Sequence, residues 1–446
     1  MLTPYREGIL DACEVLDVKE RKRWTLEHLR GQLVSVGKRS DFHRARFESA
    51  GFDPASMNSL DDLRALPLMG KAEHQASLED APPLGTNLAV PTEDVVRVHF
   101  SSGTTGPPTP VAWTALDLER WADLYARGAY AFGVRHTDIY HSLVGFAWFV
   151  GGLGTHAGFE RVGAMSIPGG NADSLRQLET IKRFGATFTV VTPSFAVHLA
   201  RVAQENGMQT RDLPITGMVI VGEPGGSIPA TRKLIEDMWD AKVYDAYGSL
   251  EFQPIAWECT ARNGLHLFED YAYAEVVDAA TLEPLPDGEP GLLVLTHLDK
   301  QAHPFVRWST GDVVAMERSV CECGRTTSRL VGGVRGRVDD MLVVRGINVF
   351  PSAVEEIVRA HPRCTGEYVI IVDDSVRDAE TGHLNAIGVQ VEIAPGDQDD
   401  ASSAAEVGEE LADQLKQRLS IRALIDPVAA GSLPATSHKS QRLIRR

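Results

Sequence analysis

Apolar and polar positions follow one rhythm before about residue 95 of this chain and another after it. Residues 1 to about 80 are charged with helical spacing, and Leu60-Asp61-Asp62-Leu63-Arg64 reads as the opening of a helix ahead of Pro67. Beyond that, short apolar runs separate longer amphipathic stretches. The pattern predicts strands over 95–100, 139–144, 187–191 and 218–221, and helices over 116–132 and 175–184. Alternation of this kind indicates parallel sheets covered by helices. The runs 292–296 and 303–308 read instead as antiparallel strands late in the large unit.

The rhythm changes again near 336–340. A compact set follows: strand 341–344, helix 352–360, strands 368–373 and 385–391, an acidic Ser/Asp/Ala loop at 396–407, and a helix over 407–421. This is the size and mix of a small α+β domain. The fold class predicted is therefore α/β: a large multi-sheet N-terminal domain with α/β layers (1–338) plus a small α+β C-terminal lid domain (339–446). No internal repeat interrupts this plan.

Composition narrows the setting. A chain of 446 residues, 43% hydrophobic and 24% charged, can bury one large and one small core. A net charge of -17 repels nucleic acid and anionic membranes, so a polyanionic ligand must be held by local donors. No run of about 18 apolar residues suggests a membrane span, and residues 1–16 lack the apolar stretch of a signal peptide. Five cysteines argue against a disulfide scaffold and for a reducing cytoplasm, where clustered cysteines more often bind metal.

Candidate chemistry starts at Ser101-Ser102-Gly103-Thr104-Thr105-Gly106, placed by the pattern between a strand and a helix. Such a loop offers successive backbone N–H groups and neutral hydroxyl donors to a phosphate. It is not a Walker A loop, because no Gly-Lys-Ser/Thr follows. Further along stand Gly222-Glu223-Pro224, Asp245-Ala246-Tyr247-Gly248-Ser249-Leu250-Glu251, Arg307-Trp308-Ser309-Thr310-Gly311-Asp312, Gly336-Arg337-Val338-Asp339-Asp340, Arg345-Gly346-Ile347-Asn348, and Leu433-Pro434-Ala435-Thr436-Ser437-His438-Lys439. In that order and spacing they resemble the adenylate-forming superfamily of acyl-CoA synthetases, adenylation domains and luciferases, and most closely its phenylacetate-CoA ligase family.

The resemblance implies ATP as co-substrate and attack of a carboxylate on its α-phosphorus. Ser101–Gly106 would hold the β- and γ-phosphates. Gly222, Glu223, Pro224, Asp245, Ala246 and Tyr247 would line the adenine side, with the Tyr247 ring flat against the base. Asp312 would accept from the ribose hydroxyls, Arg337 would reach the nucleotide, and Glu251 would help hold Mg²⁺. Lys439 would neutralise both reactants as the bond forms, and Asp339 would be the hinge. Singly, Asp312 suits an Asx turn, Glu251 a solvated helix start, and Arg337 a surface ion pair; their joint order favours the site. Two departures stand out. His438 occupies a usual Gly position, and Pro107 a usual Lys position, which shifts phosphate binding toward backbone donors.

Cys259, His266, Cys321 and Cys323 offer three thiolates and an imidazole, a tetrahedral set for structural Zn²⁺. Buried free cysteines with a surface histidine are the alternative; similar positions in the family favour zinc. The stretch 145–154 sets aromatic bulk beside glycines. With the resemblance, Phe146, Phe149, Gly151, Gly248 and Ser249 would form a flat acyl slot, suited to a small aromatic acid, while core packing is the plain reading. His141 and Ser142 are further polar candidates. The function expected is acyl-adenylate formation followed by transfer to coenzyme A. A carrier-protein thiol is the alternative acceptor. A non-catalytic nucleotide-binding regulator is a third possibility, disfavoured by Lys439, Glu251 and Asp312 together.

Overall fold

The structure is a computed structural model that describes residues 3–101, 108–148, 150–378, 381–396, 401–433 and 442–446. Its largest feature is an eleven-stranded sheet made of two halves. In one half Met165–Ile167, Ile139–Ser142, Phe188–Val191, Gly217–Ile220 and Lys242–Tyr247 run parallel. In the other half Ala256–Trp257, Leu265–Leu267, Arg329–Arg337, Trp308–Glu317, Pro290–His297 and Ala272–Val277 run antiparallel. The strand Lys242–Tyr247 belongs to both halves. Its four residues from Tyr244 to Tyr247 include three that are buried, which ties the motif there to the middle of the sheet.

The parallel strands are buried runs such as Phe-Thr-Val-Val, covered by helices on both faces. One face packs the pair Ala115–Phe132 and Val150–Val162, whose core includes Trp113, Trp121, Tyr125 and Trp257. The other packs Ser174–Phe184, Pro193–Glu205 and Pro229–Trp239 through Leu178, Leu199, Ile235 and Trp239. Both N-cap positions Thr114 and Asp173 accept backbone N–H bonds from the first turn, and both helices stop at a left-handed glycine, Gly133 and Gly185.

Residues beyond 341 carry a separate core, with Val354, Ile357, Tyr368, Ile370, Val389, Val407, Leu411 and Leu415 all buried among themselves. A four-stranded sheet (Ala423–Val428, Ile387–Ile393, Cys364–Val372, Leu443–Arg445) and a hairpin (Leu342–Val344, Ile347–Val349) form this unit with two helices. The α/β fold with a smaller C-terminal α+β unit is as the chain pattern predicts.

Four local expectations need correction. Residues 97–100 and 110–113 pair as an antiparallel hairpin, so the Ser/Gly/Thr loop joins two strands instead of a strand and a helix. Short Pro110–Trp113 escaped notice because four apolar residues abut the helix that follows. The stretch 303–307 is not a strand. Pro304 has no N–H to give, the His303 ring bonds Leu84 O at 2.8 Å and Ala112 N at 3.0 Å, and Arg307 has φ +51. Residues 401–407 are not loop but the start of the helix Ala401–Leu419, seated by Val407, Leu411 and Leu415 at four-residue spacing. Leu60–Ala65 is a 3-10 turn.

Gly128 sets how closely a helix meets the sheet. A Cβ placed there would lie 1.7 Å from Trp257 Cε3. Trp257 is itself sandwiched with Phe132 at 4.8 Å and cannot swing away. Gly128→Ala should therefore cost about 1–3 kcal/mol through overpacking, despite alanine's better helix propensity. Thermal unfolding of the two proteins checks this: the variant melts lower, and an unchanged midpoint contradicts the packing.

Candidate active site and cysteine cluster

The central strand ends at Tyr247, and the chain turns back at once. Ser249 N donates to Phe252 O at 2.9 Å and Phe252 N to Ser249 Oγ at 3.2 Å. This tight turn carries Glu251. Burial raises the Glu251 carboxyl above the usual carboxylate range, and the nearby Asp312 charge adds to the effect. Among the described residues no Lys or Arg lies within ion-pair distance of it. Gly248 packs against the side chain of Gln253, which also receives the Tyr125 hydroxyl.

Asp312 is the meeting point of three elements. The Tyr247 hydroxyl donates to its Oδ2, and Arg337 Nη1 donates to its Oδ1 at 3.2 Å. Arg337 also holds Asp339 at 2.9 Å, so one guanidinium bridges the last strand of the large sheet and the first residues beyond it. Burial and Asp312 raise the Tyr247 phenol well above its ordinary value, keeping it a neutral donor. Gly311 makes the approach possible. It has φ +78, and a Cβ there would sit 2.7 Å from Arg337 Nη2.

Two residues before Tyr247 on the same strand, Asp245 lies beside the loop that follows Gly222-Glu223-Pro224. Its carboxylate accepts the Ser227 hydroxyl, and Gly226 and Gly333 pass against it. Burial raises its pKa. Glu258 supports the same corner: it accepts Asp245 N at 2.8 Å and pairs with Arg232 at 2.7 Å. Glu223 Oε2 accepts Ser194 Oγ at 2.6 Å. Ala246 is buried in the sheet. Ser194, Ser227, Arg232 and Glu258 were not anticipated from the sequence. Gly225-Gly226-Ser227, running on from Gly222, was the visible signal of a second close-packed loop.

At the acyl-slot candidates, Phe146 meets the His156 ring edge-on at 5.6 Å. Gly151 lies in the first turn of Val150–Val162 with open space where a Cβ would project. His141 and Ser142, suggested as polar contacts, are instead buried and engaged internally: His141 Nε2 with Gln177 Oε1 at 2.5 Å, and Ser142 Oγ with Val144 O at 3.1 Å. Ser101 stands at the neck of the hairpin, its N–H on Thr109 O at 3.1 Å and its Oγ accepting Thr109 N at 3.0 Å. Ser102, Gly103, Thr104, Thr105, Gly106, Phe149 and Lys439 lie outside the described residues.

Cys259, His266, Cys321 and Cys323 converge, with their ligand atoms all within 4.8 Å of one another. Cys259 Sγ and Cys321 Sγ are 3.8 Å apart; Cys323 Sγ and His266 Nε2 are 3.6 Å apart. A tetrahedron with ~2.3 Å metal–sulfur arms has edges of about 3.8 Å, which these two separations match. His266 Nδ1 is engaged by Thr327 Oγ1 at 2.9 Å, which turns Nε2 toward the thiols. The N-terminal arm lies over this corner. Glu14 pairs with Arg325 at 2.5 Å, and Arg325 also reaches Gly8 O at 2.8 Å and Cys323 Sγ at 3.5 Å.

Comparison with known proteins identifies the arrangement. Residues 28–297 match the AMP-binding enzyme family, and residues 346–446 match the AMP-binding enzyme C-terminal domain. A phenylacetate-coenzyme A ligase of Thermus thermophilus is 37% identical over 82% of this chain and 80% of its own. That of Escherichia coli is 32% identical over 99% and 97%. The chain belongs to the AMP-binding enzymes, in their phenylacetate-CoA ligase family, and is an AMP-forming acid–CoA ligase.

Among solved structures, a 2-hydroxyisobutyryl-CoA ligase in the postadenylation state, with its acyl-AMP, superposes with TM-score 0.94 at 28% identity, covering 100% of this chain and 94% of that one. The same ligase with acyl-AMP and CoA in the thioesterification state gives 0.75 at 29% identity, with the same coverage. Thus the whole chain, including the placement of its C-terminal unit, follows the postadenylation arrangement. Among the described residues no helix is long and apolar enough to cross a membrane.

Proposed function

We propose that this protein activates a compact aromatic carboxylic acid with ATP and passes the acyl group to the thiol of coenzyme A. The observation that carries the reading is the Tyr247–Asp312–Arg337 cluster, set beside Glu251 where the two halves of the sheet join. The aromatic acid is suggested by the relatives' phenylacetate and by Phe146 beside the open face at Gly151.

The chemistry places negative charge near one point, so the site must supply donors and exclude water. Asp312 accepts from the ribose hydroxyls, its plane fixed by Tyr247 and Arg337. Arg337 brings a cation to the nucleotide edge. Ser101, Ser102, Gly103, Thr104, Thr105 and Gly106 give the phosphates backbone and hydroxyl donors. Gly222, Glu223, Pro224 and Ala246 shape the base pocket, and Asp245 acts through the Ser227 loop. Glu251, a buried carboxyl beside Asp312, fits Mg²⁺, which would supply charge neutralisation at the phosphate oxygens. Phe146, Phe149, Gly151, Gly248 and Ser249 border the acid. Lys439, from the C-terminal unit, neutralises the attacking carboxylate and the α-phosphate. The division falls at 338/339, and the C-terminal unit turns about Asp339 to exchange Lys439 for a thiol path. Zn²⁺ at Cys259, His266, Cys321 and Cys323 is structural, since four protein ligands leave no open position. A reducing cytoplasm, where thiols persist, suits those ligands.

The overall reading is tested by pyrophosphate release across a panel of aromatic acids, with coenzyme A or a phosphopantetheinyl carrier protein as acceptor. Release with an aromatic acid, and thioester on coenzyme A, are expected. Thioester only on the carrier moves the enzyme to the alternative acceptor, and release with no acid defeats the assignment.

Lys439→Ala should slow pyrophosphate release about 10²–10³-fold, the scale of losing one electrostatic group from a transition state. Thioester formation from supplied acyl-adenylate should stay within about a few-fold, because that step involves neither attack on phosphorus nor pyrophosphate. A joint fall in both assays assigns Lys439 a structural part. Asp339→Pro, which locks φ, should spare one half-reaction and abolish the other. Metal analysis should find about one zinc per chain, and Cys323→Ser should lose it and melt lower; a metal-free wild type of full stability rejects the zinc.

A further inference from the structure

The helix Pro229–Trp239 starts without a cap of its own. Its N-cap residue is Ile228, which offers no side-chain acceptor, and Pro229 takes the first helical position. The first turn of a helix leaves N–H donors unsatisfied. Here they are met from outside. Glu356 Oε2, on the helix Pro351–Ala360 of the C-terminal unit, accepts Ala230 N at 2.8 Å. One residue on, the Thr231 hydroxyl donates to Glu355 Oε1 at 2.9 Å and accepts Arg359 Nη1 at 3.0 Å. A carboxylate at a helix N-terminus is favoured both by the hydrogen bond and by the helix dipole.

We infer that Glu356 is a positioning residue for the first half-reaction: it caps the helix Pro229–Trp239 from the other unit and so holds the C-terminal unit in the arrangement its solved relative has with acyl-AMP bound, against the thioesterification arrangement. The inference rests on the proposal that this unit turns between the two half-reactions. The chain matches its solved relative after adenylation better than in the thioesterification state. A cap that joins the two units can form only in orientations that keep their two helices together. The contact lies on the rim, with Glu356 about a quarter exposed, so water can replace it when the unit turns away. The donors then revert to solvent, and the contact biases the equilibrium without locking it.

The pairing is sequence-specific in a simple way. A Ser, Thr, Asp or Asn at position 228 would satisfy the same N–H locally and make Glu356 redundant. Ile228 leaves the acceptor to the partner unit. Glu355 differs in kind: it is buried, bonds Tyr368 Oη at 3.2 Å and pairs with Arg359 at 3.0 Å within its own unit, so its removal also damages that core. Glu356 is therefore the cleaner test.

The experiment compares wild type, Glu356→Ala and Glu356→Gln, with phenylacetate as the acid. Pyrophosphate release reads the first half-reaction, and thioester yield from synthetic phenylacetyl-adenylate and coenzyme A reads the second. Glu356→Ala should lower the ratio of first to second rate about five-fold, which is about 1 kcal/mol at 1.4 kcal/mol per tenfold. Glu356→Gln keeps an acceptor oxygen and should restore at least half of that change. Replacing Ile228 with Asp in the Glu356→Ala background should leave the low ratio in place, because a local cap satisfies the helix without joining the units. An unchanged ratio in Glu356→Ala, or an equal fall in both rates, overturns the inference. Failure of the turning motion itself reads out separately: Asp339→Pro would then depress both half-reactions alike, with Glu356 intact.

Discussion

The strand Lys242–Tyr247 is bonded on both edges, to a parallel strand on one side and to an antiparallel one on the other. A parallel sheet opens toward ligands at the carboxyl ends of its strands, where crossover connections leave a crevice. An antiparallel sheet can turn back at once and bring distant sequence beside that crevice. Joining the two at one strand puts Tyr247 at the open end of the first and within reach of Asp312 from the second. The same join gives Asp245 its neighbours: Ser227 from the parallel side, Gly333 and Glu258 from the antiparallel side. The candidate site is thus a consequence of one strand having two kinds of neighbour.

Stiffness at that join has to come from somewhere, because short strands such as Ala256–Trp257 and Leu265–Leu267 contribute few ladder bonds. The cysteine cluster lies immediately beyond them. His266 is one residue of the strand Leu265–Leu267, and Cys259 follows Ala256–Trp257. Their partners Cys321 and Cys323 come from the turn ahead of Arg329–Arg337, the strand that pairs with His266 and ends at Arg337. A metal held here would act on the start of the strand whose other end delivers Arg337 to Asp312. The N-terminal arm adds polar fastening through Glu14 and Arg325, both buried, so the pair avoids solvent screening yet depends on its full set of hydrogen bonds.

Much of this was legible in the chain because the motifs are local. Glycines and acids at Gly222–Pro224 and Tyr247–Glu251 lie at or just after strand ends, and Thr310–Asp312 within the strand Trp308–Glu317; each shows in a few adjacent residues, and order along the chain supplied the rest. The cysteine set was readable for another reason: thiols and imidazole have few alternative uses in such a pattern, and the fold brings all four together. What escaped was decided by contacts distant in sequence. Pro110–Trp113 is too short to announce itself and exists because it pairs with Arg97–Phe100. Residues 303–307 are apolar enough for a strand but spend their polar groups on Leu84, Ala112 and Leu66. His141 looked available beside the acyl slot, yet Gln177, 36 residues away, takes its ring nitrogen. Helix Ala401–Leu419 was shortened because its Ser/Ala-rich first turn follows directly on Asp397, Asp399 and Asp400 in the sequence and lacks the apolar stripe that begins at Val407 and recurs at Leu411 and Leu415.

The alternation proposed for the C-terminal unit would require two arrangements of similar free energy, and the way the units meet is suited to that. Each keeps its own apolar core, so separating them exposes no shared hydrophobic cluster. Thr231, Glu355, Glu356 and Arg359 give the meeting face its polar character. Polar contacts exchange with water at small net cost, whereas an apolar interface of the same area would favour one arrangement strongly. The buried charge pair Glu355–Arg359 on this face spans one helical turn of a single helix and travels with it. A turn of the unit would remove Thr231 from that pair without parting the charges, which avoids the large penalty of leaving a buried ion alone. Between the bodies stand hydrogen bonds and the partly exposed pair Arg201–Glu367 at 3.7 Å, contacts that water can replace at smaller cost.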